Sequence, residues 1–132
     1  MKKYITLLCA ILLLLGNSVS AKHQFLEKEF QKKWCSANNG QTEVMLDTAD
    51  RVDCVTDKYA VEVEFAYKFY ESIGQSEYYE IKLNEMPQYA GRKAAVLLIL
   101  EKSSDKKYLD ALNLVAKKHG ITVFTITKED LK

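Results

Sequence analysis

An α/β fold built around a mixed sheet is predicted by three stretches of this chain. Between Arg51 and Phe65, the residues Val52, Cys54, Val61, Val63 and Phe65 alternate with Arg51, Asp53, Glu62 and Glu64. That is the period of strands with one apolar and one polar face. Lys93 to Leu100 contains Ala-Ala-Val-Leu-Leu-Ile-Leu, the continuous apolar run of a central strand covered on both faces. A helical pattern and then the β-branched segment Ile121 to Ile126 follow it. Strand, helix, strand in this order make a right-handed crossover and a parallel pair.

The chain has 132 residues, and its first stretch reads as a targeting segment. Lys2 and Lys3 form a basic start, Ile5 to Gly16 an apolar run, and Val19-Ser20-Ala21 a small-residue cleavage site. This is the pattern of a secretory signal peptide over residues 1–21, and the run is short of the ~20 residues that span a bilayer. The expectation is an exported protein, periplasmic or secreted, cleaved near Ala21. Residues 22–132 then form one mature domain without a membrane span. Loss of Lys2 and Lys3 turns the formal charge of +1 into −1. A near-neutral domain has no global field for a polyanion, so binding DNA or RNA would need a local basic patch or a metal.

Gln24 to Cys35 reads as a helix, with Leu26, Phe30 and Trp34 on its apolar side and Lys28, Lys32 and Lys33 on its wet side. Glu27 lies at the edge of the apolar side, where a solvated carboxylate is the default. Ser36-Ala-Asn-Asn-Gly40 ends the helix. Thr42 to Leu46 is a short strand, and Asp47 to Asp50 turns it into the strand at 51–55. Asp57 and Lys58 turn that strand into the next, at 59–64. The register of the first hairpin is open by one residue, which leaves the face of Glu43 undecided.

Phe65 to Leu83 is a long helix whose buried side draws on Ala66, Phe69, Tyr70, Ile73 and Ile81. Lys68, Ser72, Gln75, Tyr79 and Lys82 recur every three to four residues and form one polar stripe. Gly74 inside this helix costs ~1 kcal/mol against Ala, which predicts close packing there. Asn84 to Gly91, with Pro87, is a loop. After the central strand, Ser103 to Asp105 caps a helix from Lys106 to His119, with Leu109, Leu112, Val115 and Ala116 inward and Gly120 at its end. Tyr67, Phe69, Tyr70 and Tyr78 read as core and rim packing rather than a base-stacking platform. Lys106, Lys107, Lys117 and Lys118 read as solvated helix faces.

Two cysteines remain after processing, Cys35 and Cys54. In an oxidising compartment such a pair is more often bridged than free. The bridge closes a loop of about 20 residues, worth roughly 3 kcal/mol in the chain-entropy model. It would tie the first helix to the strand that carries Asp53.

The turn at Asp57 and Lys58 sets Asp53 opposite Glu62 and Arg51 opposite Glu64. Carboxylates opposed across a strand pair destabilise the sheet. Something is expected between them, most often a divalent metal or a shared proton. The alternative is that both point to solvent and are screened. For Glu64, a cross-strand ion pair with Arg51 competes with any role in a site.

The element order (helix, three antiparallel strands, helix, strand, helix, strand) with an acidic hairpin resembles the restriction-endonuclease-like PD-(D/E)XK superfamily. In that resemblance Asp53 matches the metal-binding aspartate, and Glu62 the metal-binding acid of the next strand, with Val63 as the x. Gln75-Ser-Glu-Tyr-Tyr79 fits the Q-x-x-x-Y motif of RecB-type nucleases on the following helix. The strings Arg-Val-Asp-Cys, Glu-Val-Glu-Phe-Ala and Ile-Gly-Gln also look like a small exported family of this fold. Val52 replaces the motif's proline. Glu64 occupies the place of the lysine that positions the attacking water and stabilises the pentavalent phosphate, and Lys68 could replace it from the helix stripe.

The resemblance implies an exported metal-dependent phosphodiesterase or nuclease, a hydrolase acting on DNA or RNA. Asp53 and Glu62 would hold Mg²⁺ or Mn²⁺, which lowers the pKa of a bound water. Lys68 would stabilise transition-state charge, and Gln75 would orient water or phosphate. Glu64, Tyr79, Glu27 and Glu43 are the further candidates around the site. The alternative is a catalytically degenerate nuclease fold that binds a protein partner in the periplasm or outside the cell. The missing strand lysine and the formal charge of −1 motivate it.

Overall fold

The computed structural model describes residues 23–132, and the signal peptide read over residues 1–21 lies outside them. Among the described residues three α-helices and five strands follow in this order: α1 (Glu27–Ala37), β1 (Gln41–Met45), β2 (Arg51–Val55), β3 (Tyr59–Phe65), α2 (Phe69–Asn84), β4 (Lys93–Leu100), α3 (Lys106–His119) and β5 (Thr122–Thr127). The strands form one mixed sheet ordered β1-β2-β3-β4-β5. The first three are antiparallel, and β4 lies parallel to both β3 and β5. The α/β class, the three-strand meander and the parallel β4–β5 pair therefore match the expectation. Among the described residues no helix is long and apolar enough to cross a membrane.

The apolar run of β4 explains the layering. Ala95, Leu97 and Ile99 join Phe30 of α1 in one core, whereas Ala94, Val96 and Leu98 join Phe69 of α2 and Leu112 and Ala116 of α3 in another. Alternate side chains of a strand point to opposite faces, so an unbroken apolar run needs cover on both. A third cluster, with Val44, Val52, Tyr79 and Leu83, closes the β1–β2 end beneath α2. At the end of α3, Gly120 takes the left-handed conformation (φ 69°) that favours glycine.

Cys35 and Cys54 are bridged, with Cα atoms 5.9 Å apart. Both are fully buried in the α1 core. Gly40 passes so close that a Cβ there would lie 2.6 Å from each sulfur. The glycine that ends the helix thus also makes room for the bridge.

Three local expectations fail. Helix α1 begins at Glu27 rather than Gln24: the Glu29 carboxylate accepts the Leu26 N–H at 2.6 Å, and Leu26 stays exposed. Phe25 takes the inward position instead, edge-on to Phe30 at 6.1 Å. Helix α2 buries Phe69, Ser72, Ser76, Tyr79 and Leu83, leaving Tyr70 and Ile81 exposed. A 3-10 turn over Ala66–Lys68 precedes it, and three residues per turn rotate the helix away from the phase read from Phe65. Gly74, finally, has nothing within 4 Å of where a Cβ would be. Gly74→Ala should therefore raise stability by roughly 0.5–1 kcal/mol through backbone entropy alone. Urea unfolding reads this directly, and a loss of stability would contradict the open surroundings of that position.

Candidate functional site

The acidic residues converge where β2 parts from β3. Their paired residues end at Val55–Ala60 and Cys54–Val61, the register expected from a turn at Asp57 and Lys58. Beyond Cys54 the backbone ladder stops, and the Val63 N–H donates to Asp53 Oδ2 at 2.8 Å. A side chain has replaced a main-chain acceptor. The same interruption runs into β1: Thr42 pairs with Cys54 and Val44 with Val52, while the intervening Glu43 has φ 55°. Positive φ is costly for a non-glycine residue and marks a locally forced backbone.

This interruption changes which way β2 faces. Val52 and Cys54 were expected on one apolar face, but Cys54 packs under α1 and Val52 under α2. The alternation shifts at Asp53, whose carboxyl turns inward between the strands. Arg51 pairs with Met45 and is exposed, so among the described residues no ion pair joins it to Glu64. Glu64 instead accepts the Phe65 N–H at 2.9 Å and is only 5 % exposed.

Glu62 and Glu64 lie beside Val96 and Leu98 in the β3–β4 register and so share the face covered by α2. Glu62 is 4 % exposed, and its Oε2 is buried without a hydrogen-bond partner. Burial first, then the Asp53 charge, pushes the Glu62 pKa up to about 10. Burial also raises Asp53, while the Val63 N–H opposes that rise by stabilising the carboxylate. The pair therefore divides its roles without a metal: Asp53 is the more readily ionised, and Glu62 keeps its proton. The Tyr79 phenol is driven upward by burial first and also by the Asp53 charge, and so remains a neutral hydroxyl.

Glu27, from α1, belongs to the same field. Burial raises its pKa to about 7, with Glu64, Asp53 and Glu43 adding to the rise and Lys68 opposing it. Glu64 is raised by burial and lowered by the Phe65 N–H and by Lys68. Five acids from α1, β1, β2 and β3 thus act on one another, and the exposed Lys68 is the cation among them. Sequence spacing placed Asp53, Glu62 and Lys68 together. Glu27 and Glu43 arrive only because α1 and β1 fold against the same break.

Gln75 is exposed and makes no hydrogen bond to these acids among the described residues. Tyr79, a turn later, is buried against them. Gln31 is the participant with the weakest sequence signal. It is buried, and its Nε2 donates to Asp53 O at 2.6 Å and Glu43 Oε1 at 3.0 Å, fixing both sides of the break. Only its position one turn after Glu27 could have drawn notice.

The donor set can be tested for fit to a divalent cation. Among the described residues no group of three or more His, Cys, Asp or Glu side chains is set to hold a metal by itself. Asp53 and Glu62 offer two hard oxygen donors, and the orphaned Glu62 Oε2 is a buried acceptor in need of a partner. Mg²⁺ is bound by one or two carboxylates and completes its shell with water and phosphate oxygens. The residues fit such a cation. No family model, curated protein or solved structure matches this chain.

Proposed function

We propose that this protein is an exported metal-dependent phosphodiesterase of restriction-endonuclease-like fold, cutting nucleic-acid strands outside the cytoplasm. The observation that carries this reading is the buried Asp53–Glu62 pair with an unpartnered carboxylate oxygen. Two buried acids with raised pKa values are costly to the fold and are characteristic of functional sites. The disulfide fits an oxidising compartment.

Asp53 and Glu62 would hold Mg²⁺ or Mn²⁺, which supplies charge against the phosphate and lowers the pKa of a bound water. Holding it requires Glu62 to surrender its proton, so affinity should rise with pH. Tyr79 is buried against the pair from α2 and would help to orient the Glu62 carboxyl. Glu27, with its pKa raised to about 7, would take a proton from an attacking water. Lys68 offers its ammonium to the charge that develops on the phosphate, in the role that a strand lysine would otherwise fill.

Cleavage of single- or double-stranded DNA or RNA by oxidised mature protein should appear with Mg²⁺ or Mn²⁺ and fall below detection in Asp53→Ala. A correctly folded protein that cuts none of them with either metal overturns the proposal. A second reading, a binding module that recognises a protein partner, draws on Glu64: it is buried and bonded to the Phe65 N–H where a catalytic lysine is wanted. Titration calorimetry separates the two. Metal binding that is lost in Asp53→Asn favours the first, and none at all favours the second.

A further inference from the structure

Two features beside the acidic break point to the form of nucleic acid it accepts. Along α1, a groove of about 340 Å³ is lined by Lys28, Lys32, Gln31, Ser36, Thr42 and Glu43. Its inner end is the buried Gln31 that holds Glu43 and the Asp53 carbonyl. Among the described residues neither Lys28 nor Lys32 is in an ion pair, although six such pairs occur elsewhere. Two ammonium groups outside any ion pair therefore border a cleft whose lining includes Glu43, one of the five acids.

Phe65, next to Glu64 in β3, belongs to an aromatic stack. His23 lies on Phe65 with ring centroids 3.8 Å apart, and Tyr67 continues the stack at 5.9 Å from His23. The Tyr67 hydroxyl meets His23 Nε2 at 3.4 Å, yet Tyr67 remains 48 % exposed. This is the rim packing expected of it, with one face of the ring left open. Lys68 links stack and site: its Nζ lies 5.8 Å from the Tyr67 ring centroid, and its charge acts on Glu27 and Glu64. A ring already held by its neighbours loses little freedom when a base stacks on it.

We infer that the site selects single-stranded nucleic acid, its phosphates running along the Lys28–Lys32 groove and an unpaired base stacking on Tyr67. This rests on the phosphodiesterase reading for its substrate class. The narrow groove and the exposed Tyr67 ring decide between strand forms. Duplex DNA is stiff over ~50 nm and presents its bases to each other, so it neither follows a groove of this size past Lys28 and Lys32 nor stacks a base on Tyr67. A single strand does both, and stacking on aromatics tolerates any sequence.

The test is fluorescence anisotropy of a labelled oligothymidylate with the oxidised mature protein, with Ca²⁺ in place of Mg²⁺ to hold back cleavage. Single strand should bind at least tenfold tighter than a duplex of equal length. Lys28→Ala/Lys32→Ala should weaken binding about tenfold and reduce the slope of log affinity against log salt by about 1.4, the counterion release of two phosphates. Tyr67→Ala should weaken it by roughly tenfold. Lys117→Ala/Lys118→Ala, the same charge change on α3, should leave affinity unchanged. Equal duplex binding, no binding, or equal losses from the α1 and α3 variants overturn the inference. Cleavage that ignores the α1 lysines sinks this inference and leaves the phosphodiesterase standing. Groove-dependent binding without cleavage does the reverse.

Discussion

Glu62→Gln should make the metal-free protein more stable at pH 7, by on the order of 3–4 kcal/mol. The wild-type carboxyl has its pKa raised from an ordinary 4.5 to about 10 in the fold. Below pH 4.5 it is protonated in both the folded and unfolded chains, and its burial is then tolerated in full. As pH rises from there toward 10, the unfolded chain ionises while the folded one holds its proton, so stability is lost steadily across that window. At pH 7 the loss corresponds to the interval above 4.5, at about 1.4 kcal/mol per pH unit. Glutamine has the shape without the ionisation. Denaturant unfolding in the presence of a chelator should therefore show a gain at pH 7 that shrinks toward zero by pH 4. A gain of equal size at both pH values would show that the effect is packing rather than charge. Added Mg²⁺ should stabilise the wild type and not the variant, because only the wild type offers the second carboxylate.

Removing the bridge should have a comparable effect in the opposite direction. Cys35→Ala/Cys54→Ala frees a loop of 19 residues' separation and is expected to cost about 3 kcal/mol, or roughly 10–15 °C in Tm. The bridge holds α1 to β2 one residue away from Asp53. Its loss should therefore also weaken metal binding, through the placement of Gln31 and Glu27. Gly40→Ala probes the same place from the chain that passes it: with 2.6 Å to both sulfurs, a methyl group forces either the bridge or the β1 entry to move. It should destabilise the oxidised protein and matter much less in the double alanine variant, where the sulfurs are gone. Equal costs in the two backgrounds would show that Gly40 serves its own turn rather than the bridge. The stabilising Glu62→Gln and the destabilising bridge removal bracket one site, which is electrostatically unfavourable and covalently held.

The element types and most boundaries were legible because they depend on local chemistry. The apolar run 94–99, the turn at Asp57 and Lys58, the αL glycine at position 120 and the cysteine pair each state their structure within a few residues. Asp53 and Glu62 could likewise be paired by counting from the turn, since an antiparallel register propagates without reference to the rest of the fold. Counting fails where a long-range contact interrupts the ladder. The Asp53 carboxyl takes the Val63 N–H, β2 changes face, and Val52 leaves the side of Cys54; no period within the strand announces this. Helix α2 was misread for a related reason. Its buried Ser72 and Tyr79 are polar enough to read as a wet face, and only packing against the sheet shows that they are inside.

By itself, then, the sequence determined the order of elements, the mixed sheet, the bridge and the suspicion of a cation between two acids, all consequences of local period and residue type. Tertiary structure alone decided that Glu27, Glu43 and Gln31 join those acids and that Arg51 and Gln75 stand apart. The reason is physical: convergence of side chains from four elements depends on where β2 parts from β3, and that parting is set by a carboxylate competing with the backbone across the sheet.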